Sequence, residues 1–287
     1  MHPVLAIDLH VHSTHSDGTL APSQLAALAA SRGIGAIALC DHDTTSGVRE
    51  CVDACGGLGI ECVPAVELSS DASGLDVHVL GYFIDPDDQD LLARLAILRE
   101  ERVRRAALMI QRLDEAGFPI GMDDVLQIAQ GGSLGRSHIA RALAQRGYAR
   151  DVPDAFVRFI GAGAPFYERK QLGGPEEAIA TIHRAGGLAV IAHPAVSRAT
   201  HLIEPLSQAG LDGVEAYHAD HSVTQRRELA ELAATLGLLV TGGTDFHGPG
   251  GPNPELGQVK VPEGVYPALL AAAGRGPGAA RATMPRP

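Results

Sequence analysis

The sequence predicts an α/β protein built on a parallel sheet, open or closed into a barrel. Seven short apolar runs of strand length lie along the chain, with amphipathic segments between several of them, two of which open on Pro and close on Gly. Side chains able to bind metal follow the runs instead of scattering.

Val4–Leu9, Ala36–Cys40, Cys62–Val66, Val77–Phe83, Leu188–Ala192, Gly213–Ala216 and Leu238–Thr241 read as buried strands, because each is short, apolar and bounded by turn formers. Helices are predicted over Pro22–Arg32, Pro175–Ala185 and Ser222–Leu236. Pro22 and Pro175 stand in a first turn, where the missing N–H costs nothing, and Gly33 and Gly186 close their helices. From about Leu91 to Phe159 no strand is legible. Leu91–Ala116 is a long helical run rich in Arg and Glu, followed by shorter helices at Asp123–Gln130, Ser137–Arg146 and Asp154–Ile160. Residues 1–98 and 171–287 are therefore expected to build the sheet domain, and residues 99–170 an all-helical insertion. The tail from Arg275 onward is expected to fray.

Composition excludes several classes. Net charge is −11, which argues against a broad positive face for duplex DNA. The balance is uneven: residues 99–170 hold 12 of the 23 Lys and Arg against 9 of the 34 Asp and Glu, a net of +3. The remainder carries a net of −14. An acidic body with a basic insertion suits a metal site beside a group that grips phosphate. No stretch approaches the roughly 20 apolar residues of a membrane span, and Met1-His2-Pro3-Val4 does not open a secretion signal. Cys40, Cys51, Cys55 and Cys62 contain no CxxC pair, so reduced, buried, small apolar side chains in a cytoplasmic protein are expected.

The chemistry lies where the strands stop. Val4–Leu9 runs into His10-Val11-His12 and then Ser16-Asp17-Gly18. Ala36–Cys40 runs into Asp41-His42-Asp43, Cys62–Val66 ends at Glu67, and Leu188–Ala192 ends at His193-Pro194. Leu238–Thr241 leads to Thr244-Asp245-Phe246-His247. In a parallel barrel those carboxyl ends share one mouth. In His10-x-His12 strand alternation puts both imidazoles on one face, and Asp245-x-His247 repeats the device. Mixed His and carboxylate donors suit Mn, Fe or Zn, and Glu67 can bridge two ions. His78, inside a strand, is ambiguous from spacing. His15 and Asp43 read as outer partners of the ligands, Asp8 as orienting a ligand or capping a loop, and His218 as structural. Arg99, Arg102, Arg104, Arg105 and Arg112 read as a solvated helix face with Glu100 and Glu101 as partners.

The ordered series from His10-Val11-His12 to Gly243-Thr244-Asp245-Phe246-His247 resembles the PHP (polymerase and histidinol phosphatase) superfamily, over residues 10 to 247. The resemblance implies a distorted (β/α)7 TIM-like barrel with two or three divalent ions, Mn first, with Zn, Fe or Mg as alternatives. It implies one ion on His10, His12, Glu67 and Asp245, a second on Glu67, His78 and His193, and a third on Asp17, His42 and His247. Asp17, Glu67, His193 and Asp245 would be the catalytic members. The chemistry implied is metal-assisted phosphomonoester hydrolysis, which calls for no Ser or Cys nucleophile and no Gly-rich phosphate loop.

Gly135-Arg136-Ser137-His138-Ile139-Ala140-Arg141 is similar to a segment of the nucleotide-processing subgroup, which usually has Pro where this chain has Ser137. That subgroup includes 3′,5′-nucleotide bisphosphate phosphatases and 5′→3′ exonucleases acting on short RNA. A helix start with Arg136 makes a phosphate site. Arg136, Ser137, His138, Arg169, Lys170 and His221 are the expected substrate contacts. The implied partner is a small phosphorylated nucleotide or short RNA. A histidinol-phosphate-type phosphatase and a non-catalytic accessory module are the competing readings; the basic insertion counts against the first and the complete ligand set against the second.

Overall fold

The structure is a computed structural model that describes residues 6–275. Seven strands form one sheet in sequence order: β1 (Ala6–Val11), β2 (Ile34–Leu39), β3 (Glu61–Ala72), β4 (Leu75–Tyr82), β5 (Leu188–Ile191), β6 (Gly213–His218) and β7 (Leu239–Gly243). The sheet curls until the end of β1 meets the segment after β7. Val11 bridges Phe246 in parallel, and the amides of Asp245 and His12 donate across the seam to His10 O and Phe246 O, each at 2.9 Å. The result is a distorted, nearly closed barrel. The first two residues of the expected strand Val4–Leu9, and the tail beyond Arg275, lie outside the described residues.

The sheet is not wholly parallel. β4 runs antiparallel to both β3 and β5. β3 pairs with β2 only over Glu61–Pro64 and then continues to Ala72 as one arm of a hairpin. Glu67 therefore lies within a 12-residue strand, not at the end of a short one. Ser73 and Gly74, both at positive φ, make the tight turn, too short for the helical crossover that a parallel connection needs.

Helices α1 (Pro22–Ser31), α2 (Val48–Leu58), α7 (Pro175–Arg184), α8 (Ile203–Gln208), α9 (Val223–Leu236) and α10 (Val265–Ala272) surround the barrel. Sequence reading missed α2, whose last turn contains Gly56 and Gly57, residues of poor helix propensity. Ser222 starts α9 with a reciprocal cap: its Oγ accepts from Gln225 N at 3.2 Å and its N donates to Gln225 Oε1 at 2.8 Å.

Between β4 and α7 lie α3 (Gln89–Glu115), α4 (Met122–Ala129), α5 (Arg136–Gln145) and the four-residue α6 (Val152–Ala155), which runs on as one π turn to Ile160. The 27-residue α3 joins two apolar clusters. Leu91, Leu95 and Leu98 pack with Val77, Val79 and Ile182 of the barrel wall. Met109 and Leu113 pack with Val125, Ile139, Leu143 and Phe159. Each fully buried Leu contributes about 1.5–3 kcal/mol, so the second cluster holds α4–α6 against α3. Among the described residues, no helix is long and apolar enough to cross a membrane.

Candidate metal centre

Strand ends and close backbone approach build the site together. Asp8, His10 and His12 alternate toward the barrel interior, and all three are fully buried. Gly243 lets the end of β7 press against β1, because a Cβ there would lie 2.4 Å from His10 N. Gly18 lets the Asp17 loop fold over His12; its Cβ would lie 2.4 Å from His12 O. His193 and Asp245 hold positive φ (31° and 56°), a conformation costly for such residues and common where function dictates the backbone.

Glu67 is the hub. Its Oε2 lies 3.6, 3.4 and 2.7 Å from His10 Nε2, His12 Nε2 and His42 Nδ1. Its Oε1 lies 2.7 Å from His78 Nδ1 and 3.1 Å from His193 Nε2. On the far side, Asp245 Oδ1 lies 3.0 Å from His12 Nε2 and 3.5 Å from His10 Nε2. Asp17 Oδ1 lies 3.0 Å from His247 Nε2 and 3.9 Å from His42 Nε2. All nine side chains expected as ligands thus meet in one cluster. His78 belongs because β4 is reversed: the first half of an antiparallel strand, not its last residue, reaches the mouth.

The electrostatics suit cations. Burial opposes charge on Glu67 and Asp17, yet the surrounding imidazoles, His42 and His78 for Glu67 and His247 and His42 for Asp17, hold both carboxyls well below their usual range. Burial and the neighbouring His247 and His42 push His12 down to about 3, a neutral imidazole with a free lone pair. His10 Nε2, His12 Nε2, Asp17 Oδ1, His42 Nδ1, Glu67 Oε2 and His193 Nδ1 are buried without a hydrogen-bond partner. Such atoms cost on the order of 1–3 kcal/mol each when left unpaired. His42 Nδ1 and Glu67 Oε2 approach within 2.7 Å without hydrogen-bond alignment. Convergent unpaired donors of this type fit divalent cations.

Outer partners orient the donors, and sequence reading missed the main one. Glu215, fully buried in the middle of β6, accepts from His10 Nδ1 at 2.9 Å and from His193 N at 2.8 Å. A lone Glu in the apolar run Gly213–Ala216 was its signal. His218, read as structural, is buried, and its unpaired Nε2 stands 3.6 Å from Asp245 Oδ2. Asp41 fixes the Asp17 loop by accepting from Ser13 Oγ and Ser16 Oγ, each at 2.6 Å. Asp8 accepts from Thr244 N, Thr244 Oγ1 and Gly257 N at 2.9, 2.6 and 2.8 Å, which ties β1 to the loop after β7. His15 turns away to Ser46 Oγ at 3.0 Å, and Asp43 faces Arg102 and Ser69, not a ligand.

The expected substrate contacts separate into two groups. Lys170 is buried and reaches His78 Nε2 at 3.0 Å, Asp76 Oδ1 at 2.5 Å and Ser69 Oγ at 3.0 Å. Arg136 pairs with Asp76 Oδ2 at 3.1 Å and lies over the rings of Phe156 and Tyr167. Ser137 Oγ donates to Asp17 Oδ2 at 2.6 Å. These three border the cluster. Arg169 does not; it grips Asp71 near the β3–β4 turn with two hydrogen bonds, at 2.6 and 3.0 Å, and is half-exposed. His138 Nδ1 accepts from Gly135 N at 2.9 Å and so caps its own helix. His221 Nδ1 bonds Ala216 O at 2.9 Å and leaves Nε2 unpaired. The Arg run is not one solvated face either. Arg104 and Arg112 are part-exposed, but the Arg102 side chain is nearly buried between Asp43 Oδ2, Leu134 O and Ser69 Oγ, and Arg105 is buried with Nε donating to Glu168 O. One side of α3 lies against the mouth. Beside Asp17, a cleft of about 470 Å³ opens between the β1–α1 loop and α4–α5, lined by Thr14, Thr19, Gln127, Gln130 and Arg141.

Comparison with known proteins agrees with this geometry. The PHP domain family profile matches residues 8–148. The chain is 36% identical to a 5′-3′ exoribonuclease of Haemophilus influenzae over 85% of this chain and 90% of that one. It is 35% identical to a 3′,5′-nucleoside bisphosphate phosphatase of Chromobacterium violaceum, over 88% and 91%. A crystal structure from Bifidobacterium adolescentis, assigned as a metal-dependent phosphoesterase, superposes with a TM-score of 0.86 at 33% identity, over 94% of this chain and 96% of that one.

Proposed function

This chain belongs to the PHP domain family of metal-dependent phosphoesterases, and on that premise we propose that its substrate is a 3′,5′-nucleotide bisphosphate. Adenosine 3′,5′-bisphosphate would yield AMP and phosphate, and short RNA would be degraded from its 5′ end. The observation that carries this reading is the adjacency of two features: the His and carboxylate cluster around Glu67, and the group Arg136–Asp76–Lys170 that touches it at His78.

His10, His12, Glu67 and Asp245 would hold one ion, Glu67, His78 and His193 a second, and Asp17, His42 and His247 a third. Manganese suits this donor set best, with Zn, Fe and Mg as alternatives. Bound divalent ions supply Lewis-acid charge and make water more acidic. Asp17, Glu67, His193 and Asp245 are assigned to the reacting phosphate. Arg136 and Lys170 are assigned to the second phosphate, with Ser137 holding the Asp17 carboxylate in place. His138, Arg169 and His221 carry less of this reading, because their hydrogen bonds run to Gly135, Asp71 and Ala216. The cleft beside Asp17 gives a longer substrate room to continue, which favours including short RNA.

The test is phosphate release by manganese-loaded protein from adenosine 3′,5′-bisphosphate, with histidinol phosphate and a 5′-phosphorylated short RNA alongside. Preference for the nucleotide substrates is the expected result. Turnover of histidinol phosphate alone would overturn the second-phosphate assignment, and no turnover of any substrate would favour an accessory, non-catalytic module.

A further inference from the structure

Three of the four cysteines meet away from the metal cluster. Cys51 and Cys55 stand one helical turn apart on α2, and Cys62 faces them from β3. Their sulfurs lie within 4.8 Å of one another, and all three residues are buried. The wall around them is apolar: Leu25, Ala29, Ile37, Leu39, Ile60 and Phe246 belong to the same cluster. Among the described residues, no His, Asp or Glu joins the three sulfurs as a fourth donor.

We propose that Cys51, Cys55 and Cys62 form a three-thiolate site for a trivalent thiophilic ion of the arsenite class. The geometry is close to what such an ion needs. Arsenic(III) carries a lone pair and binds three thiolates as a pyramid, so bonds of about 2.3 Å put the sulfurs about 3.5 Å apart. The present triangle therefore closes by a shift of up to about 1.3 Å per sulfur pair, within reach of χ1 adjustment. Charge selects the ion. Three thiolates with a monovalent or divalent cation leave net negative charge in an apolar wall, which is costly. A trivalent ion leaves none.

The reaction balances without an oxidant or reductant. Arsenous acid exchanges its three hydroxyls for three sulfurs: three As–O bonds break and three As–S bonds form, and two thiol protons and one solvent proton make the three O–H bonds of the departing waters. Hydrogen bonding among the three sulfurs, with burial, keeps Cys51 and Cys62 protonated and pushes Cys55 down to about 4, so two of the protons that leave as water come from the thiols and the third comes from solvent. Access is through the last turn of α2. It contains Gly56 and Gly57, both open to solvent on the Cβ side, and exposed Leu58, and a turn of such low propensity opens locally at small cost. Once bound, the ion ties α2 to β3, the strand that carries Glu67.

The probe is sodium arsenite, added in slight excess to the full-length, manganese-loaded protein in a thiol-free phosphine reductant, with native mass spectrometry and a thiol count as readouts. The expected result is one arsenic per chain, with three hydrogens lost and three thiols removed from the count. Cys62→Ala, Cys51→Ala and Cys55→Ala should each abolish the three-thiol adduct, while Cys40→Ala retains it. A two-thiol adduct that survives Cys62→Ala would overturn the proposal, as would binding that appears only after denaturation or no binding at all. Circular dichroism of each variant shows whether it is folded, and a Cys62→Ser variant repeats the test should the alanine variant be unstable. The readouts do not involve phosphate release, so the outcome is independent of the proposed activity.

Discussion

Glu215 and His10, 205 positions apart in the chain and both fully buried, share a 2.9 Å contact that sets the direction of the His10 ring. The carboxylate accepts a hydrogen bond from Nδ1, which leaves Nε2 as the nitrogen turned to Glu67 and Asp245. The same carboxylate accepts from His193 N, so one buried group on β6 positions side chains from β1 and from the end of β5.

Replacing Glu215 by Gln keeps the shape but leaves only one oxygen to accept from both His10 Nδ1 and the His193 amide. Outer partners of this kind are worth about 10- to 100-fold in metal affinity or activity. A Glu215→Gln protein should stay folded, need correspondingly more manganese for half-maximal activity, and recover part of its rate at high metal. Unchanged metal dependence would show that the contact is structural only.

Gly243→Ala tests the close approach of β7 to β1. The added Cβ would meet backbone, His10 N at 2.4 Å, so the strand must move instead of a side chain. Overpacking of this kind costs about 1–3 kcal/mol. Thermal unfolding should show that loss together with weakened metal binding; a stable variant with native metal affinity would refute the packing argument.

Arg136→Ala should separate the two phosphates. The guanidinium borders the cluster through Asp76 without touching its ligands. KM for adenosine 3′,5′-bisphosphate is expected to rise more than tenfold, and KM for an aryl monophosphate to change little. Equal losses on both substrates would remove the second-phosphate role.

His138 makes acid stability measurable. Burial, reinforced by Arg141 and Arg102, pushes it down to about 4, whereas an unfolded His titrates near 6.5. Above that value both states are neutral and the residue contributes nothing. Between about pH 6.5 and 4 only the unfolded chain gains the proton, so stability falls by up to about 3 kcal/mol. His138→Gln, which keeps an acceptor for Gly135 N, should flatten urea-unfolding stability across that window. An equally steep decline in the variant would locate the effect elsewhere.

Much of the site was legible because its donors follow strands, and a strand that ends at a barrel mouth delivers whatever residue comes next. His10, His12, His42, His193 and His247 are all of this kind. His78 was ambiguous because no local feature announces that β4 runs backwards; the reversal is set by the two-residue turn at Ser73-Gly74. Glu215 was overlooked because it sits within an apolar run, where only the alternation of β6 shows that it faces inward. The helices of residues 89–160 could be read from periodicity, but the burial of Arg105 and the near-burial of the Arg102 side chain depend on which side of α3 meets the mouth. For the cysteines, the turn-spaced pair on α2 is visible in sequence, while the approach of Cys62 comes only from the packing of α2 on β3.

The most direct measurement is phosphate release from adenosine 3′,5′-bisphosphate by wild type and Glu67→Gln, each stripped by chelator and then titrated with manganese. Wild type should be inactive when stripped and regain turnover as metal is added, while Glu67→Gln stays at background throughout. Turnover by stripped wild type, or by Glu67→Gln at the wild-type rate, would contradict the assignment of this cluster as the catalytic metal centre.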